Sequence, residues 1–283
     1  MSRPTLPSPS TERHPVFDSA LRPPPFVEEA IELYRYRDLV GQWSLRNIRL
    51  RYKRSMLGVA WTLLQPLMLM TILTIVFSAA FRFPVPNYPL YLLPGLLLFD
   101  FVSRSTLQTT EEIISSQNLA KRIHVPRSAF AVATVLSYLA NWAIAMIPLL
   151  LIMLVLHQPL TWSLLTVPLG MALTAIFALG LGMIIATLGA FFHDIHLTYQ
   201  VLLTAWLYAT PIIYPLAIVP ERLRPWFLLN PLLHLCELVR SPVYDGQVAA
   251  SQSWLFGLAS ASVAVVVGWS LFTHWRGALA ART

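Results

Sequence analysis

Few residues in this 283-residue chain have the types and spacing that catalysis requires. A phosphate-binding loop needs Lys directly after Gly, but the two lysines, Lys53 and Lys121, follow Tyr52 and Ala120. The sequence also offers no obvious pair of carboxylates for general acid–base catalysis. We therefore expect that the chain is not an enzyme and that it holds no catalytic residue and no cofactor of its own.

The segment His193-Asp194-Ile195-His196 contains residue types that bind metal ions. On a helix, however, four consecutive positions point in nearly all directions, so these side chains would not converge on one ion. A polar turn at a membrane boundary explains them better, and we predict no metal site.

Asp100 and Arg104 are charged residues within an otherwise apolar stretch. A charge inside a membrane is costly unless it is neutralised, and residues four apart on a helix can neutralise each other. We therefore predict an intrahelical ion pair with a structural role. A direct role of the pair in a translocation path is the alternative.

Trp142 and Trp206 lie near the middle of apolar stretches, where anchoring at the membrane surface does not explain them, and Tyr199 lies one heptad before Trp206 on a similar face. Packing is one explanation. The other is an uncharged translocation path lined by rings, which suits sugars because they stack on aromatic faces. Such a path would suit ions badly, since ion pathways usually carry charged residues.

The composition shows which solvent these residues meet. Only 12% of the residues are charged, 56% are hydrophobic and the mean hydropathy is +0.62, which excludes an ordinary soluble domain and indicates a bilayer. The net charge of +7 could suggest nucleic acid as a partner, but a nucleic-acid binder needs a soluble basic scaffold that this composition does not provide. We therefore expect membrane lipids and no nucleic acid as partners.

The apolar runs predict an all-α integral membrane fold with six transmembrane helices. A helix needs about 20 mostly apolar residues to cross the hydrocarbon core, and the apolar stretches provide six segments of about that length or more. Only the second carries charges, Asp100 and Arg104, and the uncharged stretch 128–193 is long enough for two spans. Residues 58–275 form this transmembrane domain. The predicted spans cover about 58–81, 88–107, 128–156, 163–192, 195–214 and 254–275.

The distribution of Lys and Arg predicts the orientation, because positively charged loops stay on the cytoplasmic side. If both termini are inside, fifteen of the 20 Lys and Arg residues lie on that side. The protein is therefore predicted to be a multi-pass protein of the cytoplasmic (inner) membrane. Residues 1–25 have no apolar segment typical of a cleavable signal, and we expect a disordered cytoplasmic tail there and a second cytoplasmic tail over 276–283.

Residues 26–57 combine many charges with apolar residues at three- and four-residue spacing, which predicts an amphipathic helix lying in the membrane interface. Its basic end contains Arg49, Arg51, Lys53 and Arg54. Such a cluster before a first span can act only as a topology determinant. Alternatively, it marks the place where an anionic, lipid-linked substrate enters.

The inner loop after the second span predicts a short helix over 109–126 that is exposed to the cytosol. Glu111 and Glu112 suit the beginning of such a helix, Lys121 and Arg122 suit its end, and Pro126 would stop it. A connector between neighbouring spans needs only a few residues. The extra length therefore favours a docking element, which we call the coupling helix.

The outer loop over 215–253 is rich in Pro and too apolar for a solvated loop. Short helices that dip back into the outer leaflet would explain both properties, and backbone at that depth must be covered by protein or line a wet cavity. Asn230 and Pro231 form a suitable start for one of these helices. This segment, for which a resemblance to a known family implies a periplasmic gate loop, contains these candidate residues: Trp226, Asn230, Pro231, Glu237 and Arg240.

Four motifs in the right order make the chain similar to a known family. The first motif resembles the start of the first span in Wzm-like permeases, the membrane subunits of type-2 ABC exporters of polysaccharides. It consists of Arg51-Tyr52-Lys53-Arg54-Ser55-Met56-Leu57-Gly58, followed by Trp61 and Pro66. The segment 118–127 resembles the family's coupling helix and its exit, and the segment 210–215 resembles the end of its fifth span. The pair Asn230-Pro231, with Arg240 and Gly246, resembles its periplasmic gate. The resemblance covers about residues 35–275.

The resemblance implies a homodimer that works with two copies of a separate cytoplasmic ATPase, on which ATP and Mg would bind, to export a lipid-linked glycan such as an O-antigen, capsule or teichoic acid. An ABC permease for a drug or small lipid is the alternative within transport. An integral-membrane glycosyltransferase or acyltransferase is the alternative from another class. The residues that the resemblance implies for coupling to the ATPase are Glu111, Glu112, Leu119, Lys121, Arg122 and Ile123.

Overall fold

The computed structural model describes residues 25–53, 58, 60–77, 85–115, 125–192 and 194–275, and none of these residues forms a β-strand. Short 3-10 helices cover Trp162–Thr166 and Leu216–Ile218. The described α-helices, in chain order, are α1 (Pro25–Arg35), α2 (Arg37–Tyr52), α3 (Ala60–Ile75), α4 (Tyr88–Ser115), α5 (Ser128–Val155), α6 (Val167–Phe191), α7 (Ile195–Tyr208), α8 (Arg224–Leu228), α9 (Pro231–Tyr244) and α10 (Ser251–His274).

Four of the described helical segments are long and apolar enough to cross a membrane. They contain α4, α5, α6 with its preceding 3-10 turn, and α10. The α3 helix is apolar but has 16 residues, and α7 has 14 residues, or about 21 Å, which is shorter than the roughly 30 Å hydrocarbon core. An all-helical fold with several helices that could span a membrane is confirmed for the described residues, whereas six spans and cytoplasmic termini stay predictions.

The α4 helix continues further toward its C-terminal end than the sequence predicted. It runs to Ser115 without interruption, so Thr109 and Thr110 lie within a helix and a separate helix does not begin at 109. The prediction of that beginning is wrong because no Gly or Pro interrupts the chain between Leu96 and Ser115, and Thr110 bonds back to the carbonyl of Thr106. Residues 116–124, which make up half of the predicted coupling helix, lie outside the described residues.

The predicted interface helix is two helices, since the chain turns at Tyr36 between α1 and α2. The α2 helix packs on the first turns of α5, where the rings of Trp43 and Phe130 meet edge to face with their centres 4.9 Å apart. The α1 helix reaches the end of α10, because Trp269 Nε1 donates a hydrogen bond to the carbonyl of Phe26. Both short helices are therefore fixed to the same end of the bundle.

A buried carboxylate of α1 caps α5. Glu29 Oε1 accepts hydrogen bonds from the Ser128 hydroxyl at 2.7 Å and from the Ser128 backbone N–H at 3.3 Å. The first N–H groups of a helix have no partner within the helix, so this side chain satisfies one of them from outside. Burial lowers the pKa of the neighbouring Arg127, and the charge of Glu29 opposes that shift.

Replacing Glu29 with Ala should release α1 from α5. The loss of a helix cap costs about 0.5–2 kcal/mol, and we expect a loss in that range in the free energy of unfolding. A double-mutant cycle with Ser128→Ala measures the interaction directly, by denaturant unfolding in detergent. Strictly additive effects of the two substitutions would show that the pair does not interact.

The backbones of α6 and α10 approach each other closely at two glycines. A Cβ atom added to Gly180 would collide with the backbone of Ala264, and one added to Gly268 would collide with the carbonyl of Gly180. Small residues let membrane helices approach this closely, and the gain is van der Waals contact between backbones. These two helices therefore form one tightly packed pair.

Candidate functional site

A pocket of about 180 Å³ lies where four helices meet. Its walls come from the C-terminal end of α2, the first half of α3, and the middle of α4 and of α5. We call it the inner pocket, because the predicted orientation places these segments in the cytoplasmic half of the membrane. It combines charged, amide and aromatic side chains.

The charged residues of the inner pocket include the predicted ion pair. Arg104 Nε donates to Asp100 Oδ1 at 2.6 Å, and each of the two side chains is 46% exposed. This confirms the prediction of an intrahelical pair between residues four apart. Arg51 adds a further positive charge, with its guanidinium 3.8 Å from the centre of the Tyr138 ring.

An amide and an indole in the pocket wall have buried donors. Tyr52 donates its hydroxyl proton to Asn141 Oδ1 at 2.8 Å, so α2 and α5 meet there. Asn141 Nδ2 and Trp142 Nε1 are buried and have no hydrogen-bond partner among the described residues. The Trp142 ring stacks on Phe101 of α4, with the ring centres 4.8 Å apart. This part of the wall is thus both aromatic and short of acceptors.

The other residues that were predicted to form the substrate entry site, as far as the structure describes them, lie next to this pocket. Arg49 and Lys53 line a shallow groove on α2, and Tyr52 borders both the groove and the inner pocket. Arg54 lies outside the described residues. The structure therefore brings Arg51 into the pocket and places Arg49 and Lys53 beside it.

The three aromatic residues predicted for a translocation path have different neighbours. Trp142 lines the inner pocket, whereas Tyr199 is buried and donates to the Thr106 hydroxyl at 2.8 Å. Trp206 Nε1 donates to Asn230 Oδ1 at 2.9 Å and so connects α7 with the beginning of α9. No contact described here joins the three rings, and their role in a path stays a prediction.

Two of the predicted coupling residues lie in the last turns of α4. Glu111 Oε1 is 3.5 Å from Nε2 of His196 on α7, and Glu112 is close enough to Arg46 of α2 for their charges to interact. Both carboxylates thus face other helices of the same end of the bundle. The other four predicted coupling residues lie outside the described residues: Leu119, Lys121, Arg122 and Ile123.

At the other end of the bundle, Arg240 of α9 is 2% exposed and joins three parts of the chain. Its Nη1 donates to the carbonyl of Pro211 and to the Tyr91 hydroxyl, and its Nη2 donates to the carbonyl of Ile212. Glu237 Oε1 lies 3.3 Å from Nη1 and supplies the opposite charge. We call Arg240, Tyr91, Glu237 and these two carbonyls the outer clamp.

The predicted gate loop contains α8 and α9, and its first predicted cap is confirmed. Asn230 Oδ1 accepts from the backbone N–H of Leu232, and Pro231 is the first residue of α9. Gly246 follows α9 with a positive φ of 67°, which glycine adopts easily. Trp226 of α8 is 73% exposed. The immersion of these helices in the outer leaflet stays a prediction.

The described residues contain no group of three or more His, Cys, Asp or Glu side chains that could hold a metal ion. His193 lies outside the described residues. Its neighbour in the motif, His196, interacts with Glu111 and with Gln200.

Sequence reasoning missed the importance of Asn141, Tyr52 and Tyr138. Asn141 is the only amide side chain within the 28 residues of α5, and a polar group in a membrane helix normally needs a partner. That rule could have marked Asn141 as a site residue. Tyr91 could not have been found in this way, because its role depends on a partner 149 residues away.

Comparisons with known proteins agree with these features. A family profile described as "ABC-2 type transporter" matches residues 40–244. The chain is 29% identical over 241 residues to the O-antigen export system permease protein RfbA of Myxococcus xanthus, which covers 84% of this chain and 92% of that protein. It is 27% identical over 198 residues to RfbA of Klebsiella pneumoniae, an alignment that covers 69% of this chain and 76% of that protein. It is 26% identical over 240 residues to the polysialic acid transport protein KpsM of Escherichia coli, which covers 81% of this chain and 90% of that protein.

Proposed function

This chain belongs to the ABC-2 type transporter family, and from that premise we propose that it is the membrane subunit of an exporter of polysaccharide. It is a multi-pass protein of the inner membrane. The glycan would be linked to a lipid, and ATP hydrolysis would drive its passage. The chain itself would act as a permease and not as an enzyme.

The observation that carries this proposal is the extent of the similarity. The relatives compared above are polysaccharide exporters by name, and the alignment with the Myxococcus protein covers 92% of its length. The inner pocket supports the proposal chemically, since rings together with amide and charged groups are the surface that a sugar with hydroxyls requires. A permease for a drug or small lipid would favour a more apolar cavity.

The proposed partners are two copies of a cytoplasmic ATPase and a second copy of this chain. Apolar side chains of α3 are exposed in the single chain, among them Met68 and Ile72, each 56% exposed. Lipid or a second subunit would cover them in the membrane. ATP and Mg would bind to the ATPase, and this chain would contribute the coupling helix.

The proposed cycle uses the two ends of the bundle differently. Closure of the ATPase pair would move the coupling helix and the end of α4, where Glu111 and Glu112 face neighbouring helices. The spans would then rearrange and open the outer side, where the outer clamp holds α9 against α4. Substrate would enter beside the basic end of α2.

Reconstitution tests the proposal. The chain and its ATPase, placed together in vesicles with a lipid-linked O-antigen or capsular glycan, should move the glycan across the bilayer only when ATP is present. Accessibility to an added glycosidase reports its arrival on the other side. Equal movement without ATP, or movement of a small lipid in place of every glycan tested, would contradict the proposal.

Reversing two charges of the predicted coupling helix should uncouple the ATPase from export. In the Lys121→Glu, Arg122→Glu variant, we expect ATP hydrolysis to continue while export falls by about tenfold or more, because like charges would then face the docking surface. The matched control reverses Arg35 and Arg37, two exposed basic residues at the turn between α1 and α2. Normal export by the Lys121 and Arg122 variant would remove these residues from the coupling surface.

A further inference from the structure

We propose that the inner pocket binds one sugar ring of the substrate together with the phosphate attached to it. The site would hold the end of the glycan that is next to the lipid, and this assignment rests on the proposed export of a lipid-linked polysaccharide. It names a group of residues that differs from the basic end of α2, since most of the pocket belongs to α3, α4 and α5.

The size of the pocket limits the ligand to one ring. Its volume is about 180 Å³, below the roughly 300–1,000 Å³ of pockets that hold drug-sized molecules. A disaccharide would not fit within it. The remaining sugars of a long chain would therefore lie outside the pocket, and only the first unit would be recognised here.

The apolar part of the wall suits the C–H face of a sugar. Trp61 of α3 is 50% exposed and can offer its ring to a ligand, whereas Trp142 of α5 and Phe101 of α4 stack on each other, are almost fully buried and support the wall of the pocket. Aromatic rings supply a large rigid surface, and an indole also offers one polar atom. Rings from three helices therefore border a space that is the size of one sugar.

The polar part of the wall needs acceptors. Asn141 Nδ2 and Trp142 Nε1 are unpartnered among the described residues, and both side chains are more than nine-tenths buried. Buried donors without a partner are costly, and sugar hydroxyl oxygens would accept from both. The carbonyl side of the Asn141 amide is already occupied by Tyr52, so the amide is held in one orientation.

The charges of the pocket favour one negative group on the ligand. Asp100 and Arg104 neutralise each other, whereas Arg51 has no carboxylate partner among the described residues. The net charge of the three side chains is therefore +1, and a cationic ligand would be repelled. A phosphate ester next to the ring would place its charge near the Arg51 guanidinium, which can bind phosphate oxygens with two donors.

Intrinsic fluorescence tests the site without any transport, because Trp61 and Trp142 lie in its wall. The intact chain, purified with its ATPase in lipid nanodiscs, is titrated with α-D-glucose 1-phosphate, D-glucose and inorganic phosphate. We expect the sugar phosphate to change the fluorescence at a concentration about tenfold below that of either other probe, since it engages both parts of the wall. Absence of any response to the sugar phosphate would overturn the proposal.

Two variants assign the response to this pocket. Asn141→Leu keeps the size of the side chain and should weaken binding of the sugar phosphate by about tenfold, whereas Gln42→Leu, which removes an exposed amide of α2, should not. Arg51→Gln changes an exposed residue, so folding is not at risk, and should weaken binding of the sugar phosphate while leaving the affinity for glucose unchanged. Unchanged affinities in both pocket variants would overturn the assignment.

A lipid-linked probe distinguishes the two sources of a sugar phosphate. Polyprenyl phosphoglucose incorporated in the nanodisc should compete with the soluble probe if the site serves the exported lipid. Binding of the soluble probe alone would overturn that assignment and identify a site for a cytosolic sugar phosphate. Export in vesicles without binding of either probe would contradict this inference alone. Probe binding without any ATP-driven export would instead contradict the proposed function.

Discussion

Replacing Arg240 with Met is expected to lower the free energy of unfolding by about 2–4 kcal/mol and to abolish export. The substitution removes the guanidinium donors to the buried carbonyls of Pro211 and Ile212, and the Tyr91 hydroxyl, 3.4 Å from the Pro211 oxygen, can only partly replace them. It also removes the hydrogen bond to Tyr91, which links α9 with α4 alongside the contact of the Tyr91 and Tyr244 rings. The outer part of the bundle should therefore separate at lower temperature than the rest.

The measurement is thermal unfolding in detergent, combined with protease cleavage of the segment between α7 and α9. Arg222→Met is the matched control, because Arg222 is an exposed residue of the same loop, and its unfolding temperature should not change. Arg240→Lys keeps the charge but cannot replace the several guanidinium donors, so we expect an intermediate loss. If Arg240→Met unfolds at the temperature of the unchanged protein, the outer clamp does not stabilise this region.

Replacing Gly180 with Ala should be as damaging, although it adds only one methyl group. The new Cβ would overlap the backbone of Ala264 and Val265. A flexible side chain could relieve such an overlap by changing its rotamer, but a helix backbone cannot. Relief would require α6 and α10 to move apart along their contact. We expect a loss of about 3 kcal/mol or more in the free energy of unfolding, with a lower yield of folded protein.

Gly41→Ala is the control for this prediction. Gly41 lies in α2 with no atom within 4 Å of an added Cβ, so Ala should stabilise that helix by about 0.5–1 kcal/mol. The two Gly→Ala substitutions should therefore have opposite effects on unfolding by denaturant. A stabilising effect at Gly180 would mean that α6 and α10 are not in backbone contact there.

Much of the fold follows from the positions of apolar runs. The uncharged stretches predicted the helices α5, α6 and α10 well, because a bilayer requires each span to be continuous and apolar. The end of α4 was not predictable from the same rule, since residues 109–115 are mostly polar and continue the helix beyond the apolar stretch. The shortness of α7 was hidden too, because the apolar sequence continues after Tyr208 although the helix ends.

The candidate sites were predictable only where the partners are near in sequence. The pair of Asp100 and Arg104 and the cap at Asn230 each depend on residues within one turn, and both predictions are confirmed. The contact of Tyr52 with Asn141 joins residues 89 apart, so no periodicity or composition indicates it. The same is true of Arg240, whose sequence position suggested the gate but not its four partners.

The length of α4 has a mechanical consequence. The helix is continuous over 28 residues, or about 42 Å, and the proline within it, Pro94, removes one backbone hydrogen bond, so bending is easiest there. That pivot lies about 26 Å from Glu111 but only about 5 Å from Tyr91 of the outer clamp. A bend at Pro94 would let the long arm of α4 that carries Glu111 swing widely while the short arm that carries Tyr91 stays in the outer clamp.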